Sequence, residues 1–214
     1  MKVSSSKENI LKKIRQALTN PVPVPFSHSE GNTSVFQPST KELEIEFAEN
    51  FTGLLGKFSF CIDEKELALQ LSQLAASKKL ASIYCNEKEI KQKLSNAGFN
   101  NFSASDIASC DASITGCEAL IARTGSLLMT SAQASGRTVS VYAPVHICIA
   151  YTSQLVYDIK EGLLNLREKY AGNLPSLITM ATGPSRTADI EKTLVVGVHG
   201  PSEVYVFLVE GSAL

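Results

Sequence analysis

The chain has 214 residues, 44% of them hydrophobic and 19% charged, which is enough to bury one substantial core and within the size of a single domain. Lys and Arg number 20 against 21 Asp and Glu, a formal net charge of -1, and Trp is absent, so neither a global field nor an indole platform favours nucleic acid. No stretch approaches the roughly 18 consecutive apolar residues of a membrane span, and residues 1–20 lack the apolar segment of a secretory leader. The expectation is a soluble, cytoplasmic protein.

Ser5-x-x-Glu8 reads as a capping box, and Ile10, Leu11, Ile14 and Leu18 then recur at helical spacing opposite Lys12, Lys13, Arg15 and Gln16. This is an amphipathic helix whose basic face could meet lipid or an acidic partner, a solvated face being the simpler reading. Alternate prolines at Pro21, Pro23 and Pro25 impose an extended connector, and the polar stretch 26–40 reads as a surface arm. A second helix over 41–55 places Leu43, Phe47, Phe51, Leu54 and Leu55 on one side. Residues 1–56 are thus expected to form a helical arm and linker, and residues 57–214 an α/β domain.

From residue 57 the pattern alternates. Strands are predicted over 57–62 and 80–85, helices over 64–77 and 87–97, and a further extended piece from Phe102, the signature of a parallel, Rossmann-like sheet covered by helices. Residues 112–122 and 126–130 then read as a hairpin turning at Arg123, Thr124 and Gly125. Residues 139–142 and 145–151 read as buried strands, 154–170 as one long helix, and 177–180 and 204–209 as the last strands. The five cysteines are an odd number with no C-x-x-C and mostly sit in apolar runs, so they read as core residues of a reducing compartment rather than metal or iron–sulfur ligands.

Dinucleotide, P-loop, serine-hydrolase and zinc-protease signatures are absent. The richest segment is 182–191. Gly183 can bend the chain, Ser185 or Thr187 could cap a short helix whose free N–H groups face an anion, and Arg186 adds a fork-shaped donor. Asp189 and Glu191 oppose an anion there, and a plain capped turn is the alternative. His199, beside Gly200, suits proton transfer or a structural hydrogen bond, whereas His146 in its apolar run reads as a satisfied core histidine. Glu118 follows Gly116 and Cys117 in an apolar stretch; if buried it is a candidate acid, base or nucleophile, and otherwise an edge carboxylate facing water. Thr124 and Gly125 at the hairpin turn, and Arg137 ending a loop, could present donors to a ligand or be ordinary turns.

In chain order, Ile10-Leu11-x-x-Ile14-Arg15-x-Ala17-Leu18, the run from Glu118 through Arg123-Thr124-Gly125 to Leu127, Pro144-x-His146-Ile147, the segment from Thr182 to Glu191, and Gly197-Val198-His199-Gly200-Pro201 together resemble the lactate utilization protein C family, whose core is the LUD domain. The resemblance covers nearly the whole chain. It implies a three-layer α/β fold like those of ribose-phosphate isomerases, glucosamine-phosphate deaminases and CoA transferases. It also implies a part in oxidising L-lactate to pyruvate beside two partners, the A and B type proteins, which carry the iron–sulfur clusters. On that basis this chain binds no cofactor and no metal, and takes a small anionic metabolite. The motif positions Glu118, Thr124, Gly125, His146, Gly183, Ser185, Thr187, Asp189, Glu191, His199 and Gly200 carry over as pocket residues without assigned roles. Arg137 and Arg186 join them as anion donors, and Glu118 and His199 are the catalytic candidates. Arg123 departs from the acidic residue often found before Thr-Gly, which removes a carboxylate from that turn. The alternative is a stand-alone isomerase-like or CoA transferase-like enzyme with Glu118 as base or nucleophile; a ligand-free adaptor is a third reading, and a homodimer is left open.

Overall fold

The computed structural model describes residues 5–19, 38–39, 41–190 and 193–212. The chain divides into two compact units, Met1–Pro38 and Ser39–Leu214. In the first, α1 (Ser5–Thr19) is the expected amphipathic helix, with Ile10, Leu11, Ile14 and Leu18 all exposed.

The second unit opens with α2 (Leu43–Gly53), whose Phe47 and Phe51 rings stack with centroids 5.4 Å apart and are wholly buried. The helix assigned from sequence to the arm is therefore part of the core, because its aromatic face has nowhere drier to go. There follow β1 (Lys57–Cys61), α3 (Glu64–Lys78), β2 (Ile83–Cys85), α4 (Lys88–Asn96), β3 (Ala112–Thr115), β4 (Ala119–Ile121), β5 (Ser126–Thr130), α5 (Val139–Tyr142), β6 (Val145–Tyr151), β7 (Leu155–Val156), α6 (Ile159–Lys169), β8 (Ile178–Ala181), β9 (Arg186–Ile190), β10 (Thr193–Val196) and β11 (Glu203–Val209). Parallel strands in the order β1-β11-β6-β3-β2 make the central sheet. A second sheet, β7-β4-β5-β8, lies over one of its faces, and β9 pairs with β10 as a separate ribbon.

Strand alternation sorts the core into layers. Val145, Ile147, Ile149 and Tyr151 of β6 face α3 and α4, while Cys148 and Ala150 meet Phe47, Phe51, Leu120 and Leu127 from α2 and the second sheet. Ile121 and Leu128 turn the other way, onto Leu166 of α6. This is a Rossmann-like α/β fold.

Five local expectations are corrected. Residues 112–122 are two strands in different sheets, because the chain leaves the parallel sheet at Gly116 and enters the second sheet at Ala119. Residues 139–142 form a helical turn closed on the Thr138 carbonyl and stopped by Pro144, although three of the four residues are β-formers. The helix expected over 154–170 starts only at Ile159, where the Asp158 side chain accepts the Lys160 N–H; the residues before it form β7. Residues 186–190 are a strand, so the predicted helix start after Ser185 does not exist. The extended piece expected at Phe102 becomes a strand only at Ala112.

Candidate active site at the carboxyl edge of the parallel sheet

β2, β3 and β6 lie side by side and end at Cys85, Thr115 and Tyr151. Crevices outside the carboxyl ends of such strands are the usual ligand sites of open α/β sheets. Here the crevice is a cavity of about 550 Å³. Its walls are tied together by side chains. Glu87, just before α4, leaves that helix uncapped and instead accepts the Gly116 N–H at 3.0 Å, joining the exit of β2 to the exit of β3. Gln154 accepts the Tyr151 N–H at 2.9 Å and donates to the Cys117 carbonyl, joining the exit of β6 to the same corner.

Glu118 forms part of the wall, and its side chain is only 2% exposed. Thr130 and Tyr170 hydroxyls donate to Oε1 at 2.8 and 2.7 Å, and the Lys169 ammonium donates to Oε2 at 2.7 Å. Burial alone would raise its pKa; these donors outweigh burial and hold the carboxyl below its ordinary value. A carboxylate held this way is ionised, with both oxygens engaged and three of its roughly four acceptor sites filled. It is a weak general base and a firm anchor between the β4–β5 hairpin and the end of α6.

Lys93 of α4 is different. Its ammonium donates to the Tyr151 hydroxyl at 2.9 Å and sits 4.1 Å from the centre of that ring. Both lysines line the cavity, but Lys169 is engaged by a carboxylate whereas the bond of Lys93 goes to an uncharged hydroxyl. Its remaining N–H donors, with Lys88 nearby, are what this wall offers an anion, while Glu87 and Glu89 at the start of α4 oppose one there.

The other residues singled out from sequence lie elsewhere. The hairpin carries Thr124 and Gly125 to its far end, beyond Ser126, which is itself about 14 Å from Thr130 at about 3.4 Å per residue. There Thr124, Ser126 and Thr182 hydroxyls form a chain with contacts of 2.8 and 2.7 Å. Gly125 (φ +59°) and Gly183 (φ +72°) touch α2 so closely that an added Cβ would lie 2.5 Å from Phe51 N and 2.4 Å from Leu54 O. Ser185 is bonded through its backbone to Pro201 and Gly197, and Gly200 packs against its side chain. This group sits at the amino ends of β6 and β11, where Ser202 N–H donates to the Pro144 carbonyl at 2.9 Å. His199 and Arg186 are exposed, Thr187 is half-buried on β9, and Arg137 donates to the Ser176 hydroxyl at 2.6 Å. His146 is buried, bonded through Nε2 to the Thr115 hydroxyl at 2.8 Å, and burial pushes its pKa down to about 4, so it is a neutral core histidine. The Asp189 side chain and Glu191 lie outside the described residues.

Glu118 and the Ser185–Gly200 group thus stand at opposite edges of the parallel sheet, so these carried-over pocket residues do not line one cavity. Lys93, Tyr151, Glu87 and Gln154, which shape the cavity, carry no motif. The signal available for Glu87, Tyr151 and Gln154 was positional, since each ends or closely follows a strand on the carboxyl side, whereas Lys93, inside α4, had none.

A profile of the LUD domain matches residues 46–209. The chain is 36% identical over 100 residues to an uncharacterized protein of Neisseria meningitidis serogroup B, covering 46% of this chain and 42% of that protein. It is 37% identical over 101 residues to lactate utilization protein C of Shouchella clausii, covering 47% and 44%. With lactate utilization protein C of Bacillus subtilis the identity is 38% over 98 residues, covering 45% and 41%. These alignments span under half the length of the relatives. The crystal structure of a DUF162 family protein from Deinococcus radiodurans has the same fold, with a TM-score of 0.59 at 19% identity, over 81% of this chain and 99% of that one. The profile match runs from within α2 to the end of β11 and so takes in the strands, helices and ties that enclose the cavity; the chain belongs to the LUD domain family.

Proposed function

We propose that this chain is a subunit of an iron–sulfur-dependent system that oxidises L-lactate to pyruvate, with the clusters carried by its A and B type partners. In this reading the cavity at the carboxyl edge of the parallel sheet binds a small organic anion. The observation that carries it is the LUD domain match together with relatives named lactate utilization protein C. The cavity supports the ligand class: Lys93 offers an ammonium to a carboxylate, and the Tyr151 hydroxyl beside it can bond a neighbouring hydroxyl or oxo oxygen. Glu118, already spent on three donors, holds the wall rather than the ligand. The same occupancy weighs against the stand-alone enzyme reading, which asks Glu118 for a free oxygen.

The test is genetic. Deleting the gene is expected to abolish growth on L-lactate as sole carbon source while leaving growth on glucose intact, and affinity purification of the chain is expected to bring down cluster-bearing proteins. Unchanged growth on lactate would refute the role.

A further inference from the structure

The parallel sheet ends on β1, an edge strand, and α2 runs beside it. Between them lies a groove of about 650 Å³. Its floor is apolar: Phe58 is half-buried, and Ile45 and Phe60 are 48% and 41% exposed. Carboxylates stand around this floor at Glu42, Glu44 and Glu210, and a fourth, Glu49, is paired with Lys41. An unpaired edge, an apolar floor and an acidic rim together describe a seat for a helix with an apolar face and basic flanks.

The chain carries such a helix. α1 turns Ile10, Ile14 and Leu18 to one side, with Lys12, Lys13 and Arg15 around it and Glu8 as its acid. A helix of 15 residues is marginal in water without a surface to pack on, and the apolar side chains of α1 are exposed. Apolar face would meet apolar floor, and the basic flanks would fall among the carboxylates.

We propose that the groove seats α1 of a second copy of this chain, each copy lending its basic helix to the other's acidic groove. Reciprocal exchange closes with twofold symmetry and uses the contact twice, so two modest interfaces add to one stable pair.

Sedimentation equilibrium of the full chain over a concentration series tests this, with charge reversals that leave both hydrophobic cores untouched. The wild type is expected to dimerise, more weakly at high salt. Glu44→Lys with Glu210→Lys, or Lys12→Glu with Arg15→Glu, is expected to raise the dimer dissociation constant about tenfold or more. A chain carrying all four reversals is expected to recover dimerisation, an outcome that general damage to the fold would not produce. A wild type that stays monomeric, a dimer indifferent to either pair of reversals, or a fourfold variant that does not recover would overturn the proposal.

Discussion

Glu118 keeps its charge in the interior because Thr130, Tyr170 and Lys169 all reach it. Replacing it with Gln would leave the Lys169 ammonium without its counter-charge and at least one donor poorly met. We expect Glu118→Gln to lower stability by about 1–3 kcal/mol in urea unfolding at neutral pH. Because the folded carboxyl titrates below its ordinary value of 4.5, its contribution is complete above that pH and is lost on further acidification, so wild type and variant should converge in acid. Two other residues set further windows. His146 is held neutral, its pKa pushed by burial from 6.5 to about 4, so stability should fall between those values as the unfolded chain alone takes up the proton. For Glu203 burial opposes ionisation, but Lys57, Lys78 and the Tyr205 hydroxyl outweigh it and bring the pKa from 4.5 to about 2, so its contribution should be lost across that lower interval. Unfolding free energy measured against pH should therefore lose its upper step in His146→Gln and be flattened at its lower step in Glu203→Gln.

Among the elements, α2 depends on two glycines of the sequence motifs. At Gly125 and Gly183 the backbone is left-handed and α2 backbone atoms occupy the space a Cβ would need. Gly125→Ala and Gly183→Ala are each expected to cost more than about 2 kcal/mol, by thermal or urea unfolding. Gly53→Ala, where nothing lies within 4 Å, should be neutral or stabilising by up to about 1 kcal/mol. These motif residues thus seat a helix, a role that a linear pattern of Thr-Gly or Thr-Gly-Pro does not carry. Elements with one buried face were readable: β6 alternates Val145, Ile147, Ile149 against His146, Cys148, Ala150, and α3 closes its first turn with Asp63 accepting the Glu66 N–H. What escaped were places where a continuous apolar run conceals a change of partner. The run from Ala112 to Ala122 crosses between sheets at Gly116–Glu118, where a single glycine and a single carboxylate are too brief an interruption to announce a change of sheet. Val139–Tyr142 has strand composition but no neighbouring strand to pair with, so the local turn prevails. Lys93 was illegible for another reason: a lysine on an exposed-looking helix acquires meaning only when Tyr151, distant in sequence, is placed beneath it.

In the molecule as a whole, topology decides where chemistry can occur. Parallel strands β2, β3 and β6 deliver Glu87, Glu118 and Tyr151 to one edge, while the loops before β6 and β11 gather Ser185, Gly200 and Pro201 at the other. The glycine-rich carboxyl-terminal segment, the most suggestive part of the sequence, therefore closes the amino edge, and the cavity is left to residues without a motif. Among the described residues no helix is long and apolar enough to cross a membrane. In the proposed role the cavity binds a small organic anion through Lys93. Thermal unfolding of the full chain with and without L-lactate and pyruvate, for wild type, Lys93→Ala and Arg186→Ala, measures this directly. A ligand at about a hundredfold excess over its dissociation constant adds about 2.7 kcal/mol, a readily seen rise in melting temperature. We expect that rise in the wild type and in Arg186→Ala and its loss in Lys93→Ala; no rise in the wild type with either acid, or an undiminished rise in Lys93→Ala, would contradict the assignment.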